Sequence, residues 1–200
     1  METILFLDAC MRGELSRTRA LCRRFLTAYT EVRPDCRVTR RDLTQAPLPV
    51  LTASLADRRE ALAAQGADDP MLQPARDVAG ADLILIGAPY WDLSFPAALK
   101  VYLEWASVLG VTFRYTREGQ QVGMSRARAL VYLTTGGGPM AEQNYGFRYL
   151  EGWASMMGVG RACCVEAENL DIQGADVEGI LSQAGDRAAA LARRLAQDPL

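Results

Sequence analysis

The chain reads as an α/β protein: five parallel strands in one sheet, with helices on both faces in a three-layer α/β/α sandwich. Three observations predict this. Apolar runs at 4–7, 83–87 and 129–133 are continuous, as strands buried on both faces are, instead of alternating. Segments with apolar residues at helical spacing separate them, so successive strands need right-handed crossovers. Finally, the first, third and fourth strands each run into a loop of unusual composition, and such loops gather at one edge of a parallel sheet.

The elements follow in order. A strand ends near Asp8. A helix starts near Ser16 and carries Leu21, Cys22, Phe25, Leu26 and Tyr29 at helical spacing. Cys36 to Leu43 is a partly polar strand, suited to the sheet edge. Thr44 to Leu51 holds Pro47 and Pro49 and is a loop, followed by a polar helix from Ser54 to Gln65 and a shorter one from Pro70 to Val78. The strand Leu83 to Gly87 leads to a helix from about Pro96 to Leu109, with Ser94 or Asp92 as its cap and Pro96 in its first turn. Val111 to Gly123 is expected to form a small hairpin around Glu118-Gly119. The strand Ala129 to Thr134, a helix from Gln143 to Met157, a strand from Ala162 to Glu166 and a last alanine- and arginine-rich helix complete one domain over residues 1–200. The expected strand order is 2-1-3-4-5.

Composition narrows the function. Half of the 200 residues are hydrophobic, enough for a sizeable core, and a net charge of −2 gives no reason to expect nucleic acid or an anionic membrane as partner. Lys100 is the single lysine. Histidine is absent, which excludes His-dependent triads, His metal ligation and a His proton relay. The five cysteines, Cys10, Cys22, Cys36, Cys163 and Cys164, form no CxxC and suggest neither a metal site nor a disulfide framework. Cys163 and Cys164, adjacent on a strand, are expected to point to opposite faces as small hydrophobes. No basic region precedes an apolar leader and no run is long enough to span a membrane, so a soluble, cytoplasmic setting is expected.

The loops carry the chemistry. In the first, Ala9 to Thr18, the residues Ser16 and Thr18 stand where a helix begins, with Arg12 and Arg17 beside them. Free amides, hydroxyls and guanidinium groups there suit a phosphate. Neither a dinucleotide-binding G-x-G-x-x-G nor a P-loop is present. The second loop offers an aromatic and apolar wall in Pro89, Tyr90, Trp91, Asp92 and Leu93. The third, Thr134-Thr135-Gly136-Gly137-Gly138, would let backbone approach a planar ligand. These are the strand ends where a flavodoxin-like sheet holds flavin mononucleotide (FMN).

The run Ala88 to Lys100, the segment Gly110 to Thr116 and the loop Thr134 to Gly138 resemble the FMN-dependent NAD(P)H azoreductase/quinone oxidoreductase family, in order and spacing over nearly the whole chain. The resemblance implies a flavodoxin-like homodimer with its site at the interface. It also implies two-electron transfer from NADH or NADPH through FMN to a quinone, azo compound or similar aromatic acceptor. By it, Ser16, Arg17 and Thr18 match the phosphate loop, Pro89 to Leu93 the segment along the flavin ring, and Thr135 to Gly138 the loop at its pyrimidine edge. Arg12, beside that loop, is a further candidate phosphate contact, and Tyr115 and Tyr145 are candidate substrate contacts. Asp92 stands where many relatives have Asn and Gly136 where several have a larger polar residue; Asp92 is expected to turn away from the ring and cap the following helix. The alternative is a flavin-binding electron carrier or sensor served by a separate reductase. An α/β domain that has lost its flavin is a third reading.

Overall fold

In the computed structural model, which describes residues 1–198, consecutive strand residues feed two separate cores. Ile4, Phe6, Leu83, Leu85, Val131 and Val165 face one side of the sheet, while Leu5, Leu7, Ile84, Ile86 and Leu130 face the other. This period of two is what makes the central strands apolar at every position. The sheet comprises β1 (Thr3–Asp8), β2 (Arg37–Asp42), β3 (Leu83–Gly87), β6 (Ala129–Thr135) and β7 (Ala162–Ala167), all parallel, in the order β2-β1-β3-β6-β7. Counting only these strands, that is the expected 2-1-3-4-5. The remaining pair, β4 (Phe113–Tyr115) and β5 (Gln121–Gly123), forms the expected hairpin as a separate antiparallel ribbon.

Helices α1 (Arg17–Val32) and α6 (Val177–Gln197) cover the first face through Leu21, Phe25, Leu191 and Leu195. On the second face lie α3 (Gln73–Gly80), α4 (Ala97–Ala106) and α5 (Tyr145–Met157), contributing Val78, Leu99, Leu103, Leu150 and Trp153. Helix α2 (Ala53–Ala64) buries little besides Arg59, whose Nη1 donates to the carbonyl of Glu104 at 2.7 Å. Strand β2 is an edge strand as expected, and Arg37, Arg40 and Arg41 along it discourage pairing with another chain. Cys163 and Cys164 do face opposite cores, although both are only half-buried. Residues 199–200 of the last expected segment lie outside the described residues. Among those described, no helix is long and apolar enough to cross a membrane.

Gly87 ends β3 directly beneath the first loop. A Cβ added there would lie 2.5 Å from Cys22 Sγ and 3.3 Å from Cys10 Sγ. Gly87→Ala is therefore expected to cost about 1–3 kcal/mol through overpacking. Most of that loss should return in the Gly87→Ala, Cys22→Ala double variant, where the new methyl takes the sulfur's space. Urea denaturation of the four proteins checks this; strict additivity would contradict it.

Candidate functional site

The first loop is shaped from below by buried charge. Asp8, fully buried at the end of β1, accepts from the Cys10 amide at 3.1 Å and lies 3.0 Å from Arg19 Nε and 2.6 Å from Arg40 Nη2. The Arg19 side chain, 7% exposed, also reaches Glu14 and Asp42, both at 3.3 Å. Burial alone would favour neutral Arg19, but the charge and hydrogen bond of Asp8 outweigh it and raise its pKa. Over this base the loop turns through Gly13 at φ +56° and three short-range backbone bonds, ending at Ser16. The helix starts beside Ser16 as expected, and Ser16 caps it, its Oγ accepting from Arg19 N at 3.2 Å. The amides of Arg17 and Thr18, in the first turn, have no intrahelical acceptors, and they sit at the positive end of the helix.

Asp42 belongs to the same network. Burial pushes its pKa up, but bonds from the Thr44 hydroxyl and amide together with Arg40 and Arg19 bring it below the ordinary value. A folded-state pKa below the unfolded one contributes stability that is fully present above about pH 3.9 and is lost as pH falls through the folded value. Asp42→Asn is accordingly expected to lower stability at pH 7 and to flatten its decline below about pH 4. Urea midpoints measured across that range check it, and an unchanged acid slope would contradict it.

The second loop prolongs the sheet: Ala88 N donates to Leu133 O at 3.2 Å and Tyr90 N to Thr135 O at 2.9 Å. Trp91 and Ser94 then exchange backbone bonds of 3.1 and 2.8 Å across Asp92 (φ 48°) and Leu93 (φ 67°). Two successive left-handed residues make a tight turn. This corrects the capping expectation. The helix starts at Ala97 with Pro96 as N-cap residue and no side-chain cap, because the turn occupies Ser94 and leaves Asp92 exposed. A short polar residue at position 92 is explained by its tolerance of positive φ. Leu93 has no such tolerance, and its strain, about 1–2 kcal/mol, is held by the turn and by Tyr145 N donating to Leu93 O at 3.1 Å. The Tyr90 hydroxyl donates to Gln143 O at 3.2 Å. Burial, then Tyr145 and Glu166, push its pKa up.

The third loop joins the first through Thr135 Oγ1 and Thr18 Oγ1, 2.6 Å apart and buried. Two of its glycines are also crowded by protein atoms. A Cβ on Gly136 would lie 2.8 Å from Met140 Cε and 3.3 Å from Tyr90, and one on Gly137 would fall on the Asp171 carboxylate. Both positions lack side chains because protein atoms fill the space. Around Gly138 that direction is open.

These loops enclose a cleft of about 190 Å³. Arg12, Ser16, Arg17 and Thr18 line its α1 end; Pro89, Tyr90 and Trp91 form one wall and Thr135, Gly136 and Gly137 the other. Asp92, Leu93 and Gly138 stand outside the lining. Met11, Leu15, Leu170 and Asp171 line it without having been anticipated. The last two follow β7, and parallel topology puts that loop at the same sheet edge as the other three. Tyr145 is exposed beside the second loop. Tyr115 is not brought to the cleft within one chain. Its hairpin is anchored at the opposite end of the sheet, where Gly123 packs on Met157 and Gly158 and Ser125 N donates to Met157 O. A larger open groove, about 1020 Å³, follows the free edge of β7, where Arg187 Nη2 donates to the Glu166 carbonyl.

A family model described as flavodoxin-like fold matches residues 2–192. The FMN-dependent NADH:quinone oxidoreductase 2 of Clostridium acetobutylicum is 33% identical over 194 residues, covering 94% of this chain and 96% of that protein. The FMN-dependent NADH:quinone oxidoreductase of Caldicellulosiruptor saccharolyticus is 31% identical, covering 97% and 100%. Among solved structures, an azoreductase from Bacillus anthracis superposes with a TM-score of 0.83 at 26% identity, covering 97% of this chain and all of that one.

Proposed function

Since the chain belongs to the flavodoxin-like-fold family, we propose that it is an FMN-dependent oxidoreductase that takes electrons from NADH or NADPH and reduces quinones, azo compounds or similar aromatic acceptors. The observation that carries this reading is the meeting of the α1 N-terminus with two strand-end loops in one cleft, in a chain this similar to FMN-dependent quinone reductases.

The donor set suits FMN. Ser16 and the amides of Arg17 and Thr18 would hold the phosphate, with guanidinium groups of Arg12 and Arg17 beside them. Tyr90 and Trp91 offer aromatic surface, and Thr135 to Gly137 would face the ring from the opposite wall. When bound, the flavin supplies the hydride chemistry. The protein's own residues bind, orient and leave a face open for donor and acceptor in turn. No side-chain base is required of a chain without histidine.

At about 190 Å³ the cleft is smaller than an enclosed pocket for a ligand of this size, and Trp91 in its lining is 45% exposed. The enclosed part suits the phosphate end, leaving aromatic surface uncovered. This supports a homodimer in which a second copy completes the site; light scattering of the FMN-loaded protein tests it, and a monomer would contradict it. The five free thiols suit a reducing, cytoplasmic setting. Initial rates with NADH and a quinone test the activity. Parallel double-reciprocal lines are expected, because donor and acceptor use one face alternately; no turnover without an added reductase would favour an electron carrier.

A further inference from the structure

We propose that Asp171 sets the strength and selectivity of the phosphate end of the cleft, competing with the flavin phosphate for Arg17 and repelling it; this rests on the flavin reading above. Arg17 Nη1 donates to Asp171 Oδ1 at 3.0 Å and to the Leu170 carbonyl at 3.4 Å. A guanidinium group lining the α1 end of the cleft is thus already shared with a carboxylate lining the same cleft.

The backbone that carries that carboxylate is fixed in the wall. Asn169, Leu170 and Asp171 donate their amides to the carbonyls of Gly138, Gly136 and Gly137 at 3.1, 3.2 and 2.9 Å, so residues 169–171 run along the glycine loop as an extra pairing. Asp171 Oδ2 occupies the space that a side chain on Gly137 would need. The backbone therefore keeps a negative charge beside the anion site. The ion pair itself is weak, because its side chains are 41% and 72% exposed and water screens them. Such a pair does little to orient Arg17 and yields readily to a dianion. What persists after a phosphate arrives is the repulsion from Asp171, which opposes phosphorylated flavin and leaves riboflavin untouched.

The test is Asp171→Asn, which keeps an oxygen acceptor for Arg17 and all three backbone bonds while removing the charge. Dissociation constants for FMN and riboflavin are measured by flavin fluorescence at low and high salt. FMN is expected to bind about three- to ten-fold more tightly to the variant at low salt, with the gain fading at high salt and riboflavin unchanged. Weaker FMN binding would overturn the proposal, since it would make Asp171 a positioning residue for Arg17. Equal shifts for both flavins would also overturn it, by placing the effect in the loop and not in the charge. Retention of FMN by the wild type separates these results from failure of the flavin reading; a wild type that binds neither flavin overturns both.

Discussion

Ser16→Asp is expected to leave the fold intact and to weaken FMN binding by about a thousand-fold. Aspartate caps helices as well as serine does and can accept the Arg19 amide that Ser16 Oγ accepts now. Its charge also suits the positive end of α1. The same charge would stand where the phosphate must sit. Two unit charges about 4 Å apart near a protein surface interact by about 4 kcal/mol, which is close to three decades in affinity. Urea denaturation should match the wild type, and equilibrium dialysis should show the loss for FMN but a much smaller one for riboflavin. FMN affinity within ten-fold of wild type would move the phosphate away from the α1 N-terminus.

Asp8→Ala carries the largest expected effect on stability. Asp8 is the shared partner of Arg19 and Arg40 and the acceptor for the Cys10 amide, with no exposure to water. Removing it leaves the Arg19 guanidinium buried beside Glu14 and Asp42 alone. Breaking a buried pair from one side costs about 3–5 kcal/mol, against a total stability of about 5–15 for a typical domain. The damage should concentrate in residues 9–16, which the network holds in place. Hydrogen exchange should show that segment unprotected even in the folded population, and Asp8→Asn, which keeps the Cys10 acceptor, should fall between. A loss below about 1 kcal/mol would mean that Arg40 and Asp42 hold the loop without Asp8.

What the sequence conveyed and what it hid follow from the range of the interactions involved. The strands expected at 83–87 and 129–134 and the helix start near Ser16 are local signals, and each appears where its residues predict, to within one residue. The start of α4 was legible to within one residue, but its lack of a side-chain cap was hidden because two left-handed residues, one of them a leucine, build the turn at 91–94, and no single-residue preference announces that. Pro96, readable as a first-turn proline, became the N-cap residue once the turn had taken Ser94. The glycines at 136 and 137 signalled a special backbone correctly. Tyr90, Met140 and Asp171 crowd those positions, and Tyr90 and Asp171 are on separate loops whose approach only the folded chain reveals. Likewise Tyr115 sits in a recognisable hairpin whose position depends on its packing against the end of α5. The Asp8, Arg19, Arg40 and Asp42 network draws on three elements and has no period to betray it.

The most direct test of the central claim is the visible spectrum of the purified protein after incubation with FMN and desalting, recorded anaerobically before and after NADH or NADPH. A retained flavin band that bleaches with the nucleotide and returns on addition of a quinone is the expected result. A retained band that does not bleach, or no retained band at all, would contradict it.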